Sequence, residues 1–240
     1  HAYEFIHTFE PEKIFNMKFD VIIGNPPYQM KTGGAQAQAI PIYQYFVMQS
    51  KKMMPKYLTM IIPSRWFTGG FGLDKFRLEM LSDRRIKILH DYYDANDCFA
   101  GIELKGGVCY FLWDKSYSGD CDIYSHIANK VEHSKRKLLE DGCDIFIRYN
   151  QAIDILRKVQ SFNEPSITSM ISSQRPFGLP TNFKDYVDED NGYIKLYAYK
   201  KTGYLKKSVS VTKNTELIGK WKIFTPKAIG SGDSKTDEVK

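Results

Sequence analysis

Four consecutive residues, Asn25-Pro26-Pro27-Tyr28, are where this chain could do chemistry. They follow directly on Phe19-Asp20-Val21-Ile22-Ile23-Gly24, a short apolar run that reads as a buried strand. A rigid, polar turn after such a strand lies at the carboxyl edge of a sheet, where open α/β sheets bind ligands. Asn25 brings a side-chain carbonyl oxygen and Pro26 a backbone one. The prolines fix φ and remove competing N–H donors, so both acceptors are set before a ligand arrives. Two such acceptors suit an exocyclic amino group on a flat ring. That nitrogen is a poor nucleophile, because its lone pair is delocalised into the ring. Accepting hydrogen bonds from both of its N–H groups draws the lone pair back toward an attacking position. Tyr28 adds a planar face for a base that has left its stack. No proton has to be removed first, so His90-Asp91 is read as a strand terminus and not as an acid–base pair.

Asn and Pro also favour ordinary turns. What singles this turn out is the strand before it and the aromatic ring after it, so the positioning elements matter. A Gly33-Gly34 loop without apolar period follows. Ile42, Tyr45, Phe46 and Met53, flanked by Lys51-Lys52, then predict a helix over 42–54 that Pro55 ends. Tyr57–Ile62 is a second buried strand, with Ser64-Arg65-Trp66-Phe67 at its carboxyl end. A charged helix over 73–83, a strand over 86–90 and an alternating strand over 106–113 complete the series. Strand, helix, strand, helix, strand is the order of a parallel sheet with crossover helices, hence an α/β fold. Lys115–Asp122 reads as a hairpin turn, and 150–160 as an amphipathic helix with Ile153, Leu156 and Val159 on one face. Residues 1–18 read as a loop with one helical turn. After Glu164-Pro165 the chain turns rich in Lys, Tyr, Gly and Ser, with β-like runs at 193–199 and 222–225. Two domains are expected, 1–145 and 146–240.

The chain has 240 residues and a net charge of +6, compatible with a nucleic-acid partner but not diagnostic of one. Cys98, Cys109, Cys121 and Cys143 are too widely spaced for a zinc site, so no metal is expected and the thiols read as reduced. No signal peptide and no membrane-length apolar run are apparent, so a cytoplasmic location away from membranes is expected.

Together these residues resemble the adenine-N6 DNA methyltransferases of restriction–modification systems, and more closely the Eco57I-type group. The resemblance rests on Phe19–Tyr28, on Thr59–Phe67 and on Lys105–Lys115. It continues weakly through Arg175-Pro176-Phe177-Gly178 and 224–228. It implies a Rossmann-like methyltransferase sheet followed by the start of a target-recognition domain. It also implies S-adenosylmethionine as cofactor, double-stranded DNA as partner, and a methyltransferase often fused to or associated with an endonuclease. Such enzymes hold the cofactor on a glycine-rich loop upstream of the Asn-Pro-Pro-Tyr turn. Only 24 residues precede Asn25 here, with no glycine before Gly24. The expectation is a piece of a longer protein, probing as the carboxyl half of the sheet with a bare parallel edge at 19–23, and inactive alone.

By the same resemblance Asn25, Pro26, Pro27 and Tyr28 form the catalytic turn. Tyr28 and an aromatic from strand 106–113, Trp113 or else Phe111, sandwich the target base. Tyr43 and Phe46 fall where such enzymes line the cofactor. From charge and position alone, Arg65, Lys105, Arg175, Lys200 and Lys201 are read as candidates to meet DNA, Arg65 with the alternative of simply closing its loop. Two alternatives stand beside this reading. One is an amino-group methyltransferase acting on protein glutamine or on RNA; the other is a non-catalytic DNA-binding fragment.

Overall fold

The structure is a computed structural model that describes residues 2–30, 39–101, 104–172, 175–180, 182–198 and 201–223. The chain divides into two compact units, His1–Asn163 and Glu164–Lys240. In the first, helices α1 (Ala2–His7) and α2 (Pro11–Phe15) precede strand β1 (Val21–Gly24). The short pair β2 (Gln29–Met30) and β3 (Ile40–Pro41) leads into α3 (Tyr43–Lys52). Then come β4 (Tyr57–Pro63), α4 (Asp74–Ser82), β5 (Ile86–Tyr92), β6 (Val108–Asp114), β7 (Cys121–Ile127), β8 (Lys130–Arg136) and α5 (Gln151–Gln160).

The central sheet has six strands in the order β1-β4-β6-β5-β7-β8. β1 and β4 are parallel, and β5 and β7 are parallel. β6 lies between β4 and β5 and runs antiparallel to both. The carboxyl ends of β1, β4, β5 and β7 therefore share one edge of the sheet, and β6 begins at that edge and ends at the opposite one. One sheet face carries Leu58, Met60, Ile62, Leu89, Cys109, Phe111, Trp113 and Ile123, all buried in the core. Helices α3 and α4 deliver Tyr43, Val47, Phe76 and Met80 to the same core. Each large side chain so buried contributes roughly 1.5–3 kcal/mol. β1 is an edge strand: Ile22 packs on the core, while Ile23 on the other face is 78% exposed.

Local chemistry explains the element ends. α3 stops where Met54 adopts a left-handed φ of 52°, and Pro55 prevents continuation. The turn into α4 uses Gly69, whose φ of +75° and close approach to the Arg77 and Asp74 side chains leave no room for a Cβ.

Several sequence expectations need correction. The sheet is mixed and not all parallel. Residues 115–120 are no hairpin turn, because β6 and β7 are separated by β5 and the connection passes its end. Residues 2–15 form two short helices. Separately, the first compact unit runs to Asn163, and α5 is fastened to it. Asn150 accepts from Ser134 Oγ at 2.9 Å, Arg157 Nη2 donates to Glu140 at 3.0 Å and Gln160 Nε2 to the Asp141 carbonyl at 2.8 Å. On that helix Ile153 is buried but Val159 is exposed.

The second unit contains a three-stranded antiparallel sheet, β9 (Tyr186–Val187), β10 (Lys195–Ala198) and β11 (Lys201–Leu205), in the order β10-β11-β9. Lys222 and Ile223 are in no strand, and the rest of the run expected at 222–225 lies outside the described residues. Among the described residues no helix is long and apolar enough to cross a membrane.

Candidate functional site

The Asn25-Pro26-Pro27-Tyr28 turn leaves the carboxyl end of β1. Gly24 pairs with Met60 of β4, and the Met60 side chain lies 3.4 Å from where a Cβ on Gly24 would be. The strand end is thus packed tightly under the turn. Pro26 is buried, Asn25 and Pro27 are exposed, and Tyr28 is half-buried. Beyond the turn the backbone is pinned at once. The Ile42 N–H donates to the Tyr28 carbonyl at 3.2 Å, and β2 pairs with β3 just after it. A turn held at both ends offers its acceptors without further ordering cost.

The Tyr28 hydroxyl is buried and has no hydrogen-bond partner among the described residues. Burial pushes the phenol pKa up, and the Cys109 and Cys98 thiols lie near enough to raise it further. Tyr28 is therefore neutral at physiological pH. Cys98 belongs to the β5–β6 connection, whose described residues, 93–101 and 104–107, are on the same sheet edge as Asn25. Arg65, exposed after β4 and 3.6 Å over the Phe71 ring, and Lys105, exposed in that connection, share this edge.

Other expected site residues fall elsewhere. Trp113 is fully buried and its Nε1–H donates to Asp83 Oδ2 at 2.9 Å. It ends β6 at the edge opposite Asn25, paired with Leu58 near the start of β4. Phe111 is also fully buried, on the core face. Neither can stack on an extruded base, because β6 runs against its neighbours and its last residues point away from the site edge. Tyr43 is 1% exposed and packs edge-on against Phe76 at 6.0 Å, so its ring lines the core and not a cofactor. Phe46 is half-buried against Phe5 of α1, 6.0 Å between centroids. In the second unit Arg175 is exposed with φ 60°, and Lys201 is exposed but pairs with Asp188 at 2.9 Å. Lys200 lies outside the described residues.

Tyr43, expected to line the cofactor, has no free face.

His90 and Asp91 point to opposite faces of β5. His90 stacks between Tyr110 and Tyr124, 4.5 Å from each, and burial with the neighbouring His126 pushes its pKa down to about 4. Asp91 is fully buried and takes both Nε and Nη2 of Arg148 at 2.7 Å, plus Ser64 Oγ at 2.8 Å. Sequence reasoning did not find this cluster. Its one signal was an acid at a buried position of a strand, and Arg148 is 57 residues away.

Residues 1–99 match the model of the Eco57I restriction-modification methylase family. Over 198 residues the chain is 35% identical to an uncharacterised adenine-specific methylase of Mycoplasma pneumoniae, a match covering 74% of this chain and 46% of that protein. The chain thus spans about half the length of this relative. Among solved structures it is similar to the type I restriction-modification methyltransferase subunit of Streptococcus thermophilus, at 13% identity and TM-score 0.36, covering 68% of this chain and 36% of that one. It is also similar to the protein in a DrdV–DNA complex, at 17% identity and TM-score 0.36, covering 55% and 18%.

Proposed function

We propose that this chain is the part of a restriction–modification methyltransferase that captures adenine in double-stranded DNA and presents its N6 amine for methylation. One observation carries the reading. A two-proline turn, held at both ends, places the Asn25 carboxamide in the open at the carboxyl edge of β1, with the half-buried Tyr28 ring beside it. Asn25 Oδ1 and the Pro26 carbonyl accept from the two amine N–H groups and restore lone-pair density on N6. Tyr28, neutral and with its hydroxyl end buried, supplies a ring for the base to lie against. The family match across this segment and the adenine-specific relative support the substrate class.

The second stacking ring comes from the 93–107 connection in place of β6. Phe99 is half-buried there and follows Cys98, the thiol near Tyr28. Arg65 and Lys105 meet phosphates at the same edge, and in the second unit Arg175 is a further candidate for phosphate contact. The methyl group comes from S-adenosylmethionine.

The test is product identity. The full-length protein is incubated with isotopically labelled S-adenosylmethionine and, in parallel, unmethylated plasmid DNA, RNA or a cell protein extract, and the DNA is digested to nucleosides. Label in N6-methyldeoxyadenosine is expected. Label only in methylated cytosine, or only in the RNA or protein incubations, would refute the reading.

A further inference from the structure

Asp91 is buried on the core face of β5, among apolar neighbours such as Leu89 and Phe111. Stability does not call for a charge there, since a buried ion pair is commonly replaced by apolar residues at no loss. Where the pair's remaining bonds go is therefore informative. Arg148, 21% exposed, spends Nε and Nη2 on Asp91. Its Nη1 donates to the Gly106 carbonyl at 3.0 Å, and its guanidinium lies 4.0 Å over the Tyr93 ring. Tyr93 and Gly106 stand at the two ends of the β5–β6 connection. The pinch is completed by backbone. Ser64 N–H donates to the Gly107 carbonyl at 3.0 Å, and Gly107, at φ +82°, sits so close to the Tyr92 carbonyl that a Cβ has no room.

We infer that Arg148, anchored on Asp91, is a positioning residue that holds both ends of the β5–β6 connection at the sheet edge of the Asn25–Tyr28 turn and so shapes the base-receiving side of the site. This rests on the base-capture reading given above. Arg148 touches no base itself. It clamps both ends of the segment that carries Cys98 and Phe99, and that segment lies at the sheet edge from which the Asn25–Tyr28 turn leaves. Removing the clamp frees the connection without disturbing Asn25, so its loss is felt in base capture more than in duplex binding.

The test uses the full-length protein and a duplex with 2-aminopurine at the adenine whose methylation has been mapped by sequencing. Wild type is expected to raise the fluorescence as the base leaves the stack. A lone Asp91→Ala change strands the Arg148 charge and can unfold the chain, so the informative variant removes both charges: Asp91→Leu with Arg148→Met. It is expected to melt within a few degrees of wild type and bind duplex within a few-fold. It is also expected to lose most of the fluorescence rise and to show kcat lower by roughly 10- to 100-fold, the scale of an ångström-level misplacement. Arg148→Lys, which keeps the charge but not the forked contacts, is expected to fall between the two. A double variant with the wild-type rise and kcat overturns the inference and leaves the base-capture reading intact. A double variant that melts far below wild type also overturns it, making the cluster a fold element. A wild type that gives no rise overturns both.

Discussion

Replacing Trp113 by phenylalanine should weaken the fold and leave base capture intact. The indole is fully buried, its Nε1–H reaches Asp83 Oδ2 at 2.9 Å, and the Arg85 guanidinium lies 4.7 Å over it. Losing a hydrogen bond to a charged acceptor costs about 1.5–3 kcal/mol. The smaller ring leaves a void that adds about 1 kcal/mol at 24 cal/mol per Å³. The sum, about 3 kcal/mol, is a large share of the roughly 5–15 kcal/mol that holds a typical domain together. With a urea slope of about 2 kcal/mol per molar, the unfolding midpoint should fall by about 1.5 M. The assay pairs urea titration, read by far-ultraviolet circular dichroism, with the 2-aminopurine fluorescence of the folded full-length protein. A midpoint within 0.3 M of wild type, on the order of the extrapolation error, together with a lost fluorescence rise would refute the reasoning and return Trp113 to the site.

Three further outcomes are expected. Phe99→Ala should weaken capture of the extruded base by about 1–3 kcal/mol, seen as a smaller 2-aminopurine rise, whereas Phe111→Ala should mainly lower the melting temperature; the reverse pattern would put the stacking ring back on β6. Burial alone would push the Asp83 carboxyl pKa up, but the Arg85 and Lys51 contacts outweigh it and hold it well below the usual carboxylate range. A depressed pKa contributes stability that is present above the unfolded value, about 3.9, and is lost as pH falls through the folded value. The urea-midpoint gap between wild type and Asp83→Asn should therefore be widest near neutrality and narrow below about pH 4; a gap constant with pH would contradict this. Calorimetry of the 240-residue chain with S-adenosylmethionine should show weak binding or none, and tight stoichiometric heat would mean the cofactor site is built in another way.

The Asn25–Tyr28 turn was legible in the sequence because it is local. A strand, two prolines and a tyrosine in ten consecutive residues determine both the turn and its place at a sheet edge. The helices over 43–52 and 74–82 were legible for the same reason, through periodicity and a Pro or Gly at their ends. Strand direction was not legible. Val108–Asp114 has the same alternation whichever way it runs, so its aromatic end was taken for the site edge when it is the opposite one. Tyr43 was misplaced because helical spacing shows that a face exists but not what it packs on. The Asp91–Arg148 pair was invisible because nothing in either neighbourhood signals a partner 57 residues away. Asp91 looked like a strand terminus until the fold supplied its other half.

The central claim is that the Asn25 carboxamide orients the adenine amine, and Asn25→Ala tests it most directly. The rate of N6-methyladenine formation is measured on unmethylated DNA at saturating S-adenosylmethionine, alongside duplex binding by the same protein. A preorganised contact made in the transition state is worth about 2.7–4 kcal/mol, so the rate should fall roughly 10²- to 10³-fold, with duplex affinity within a few-fold of wild type. A variant that methylates adenine within a few-fold of the wild-type rate would contradict the account.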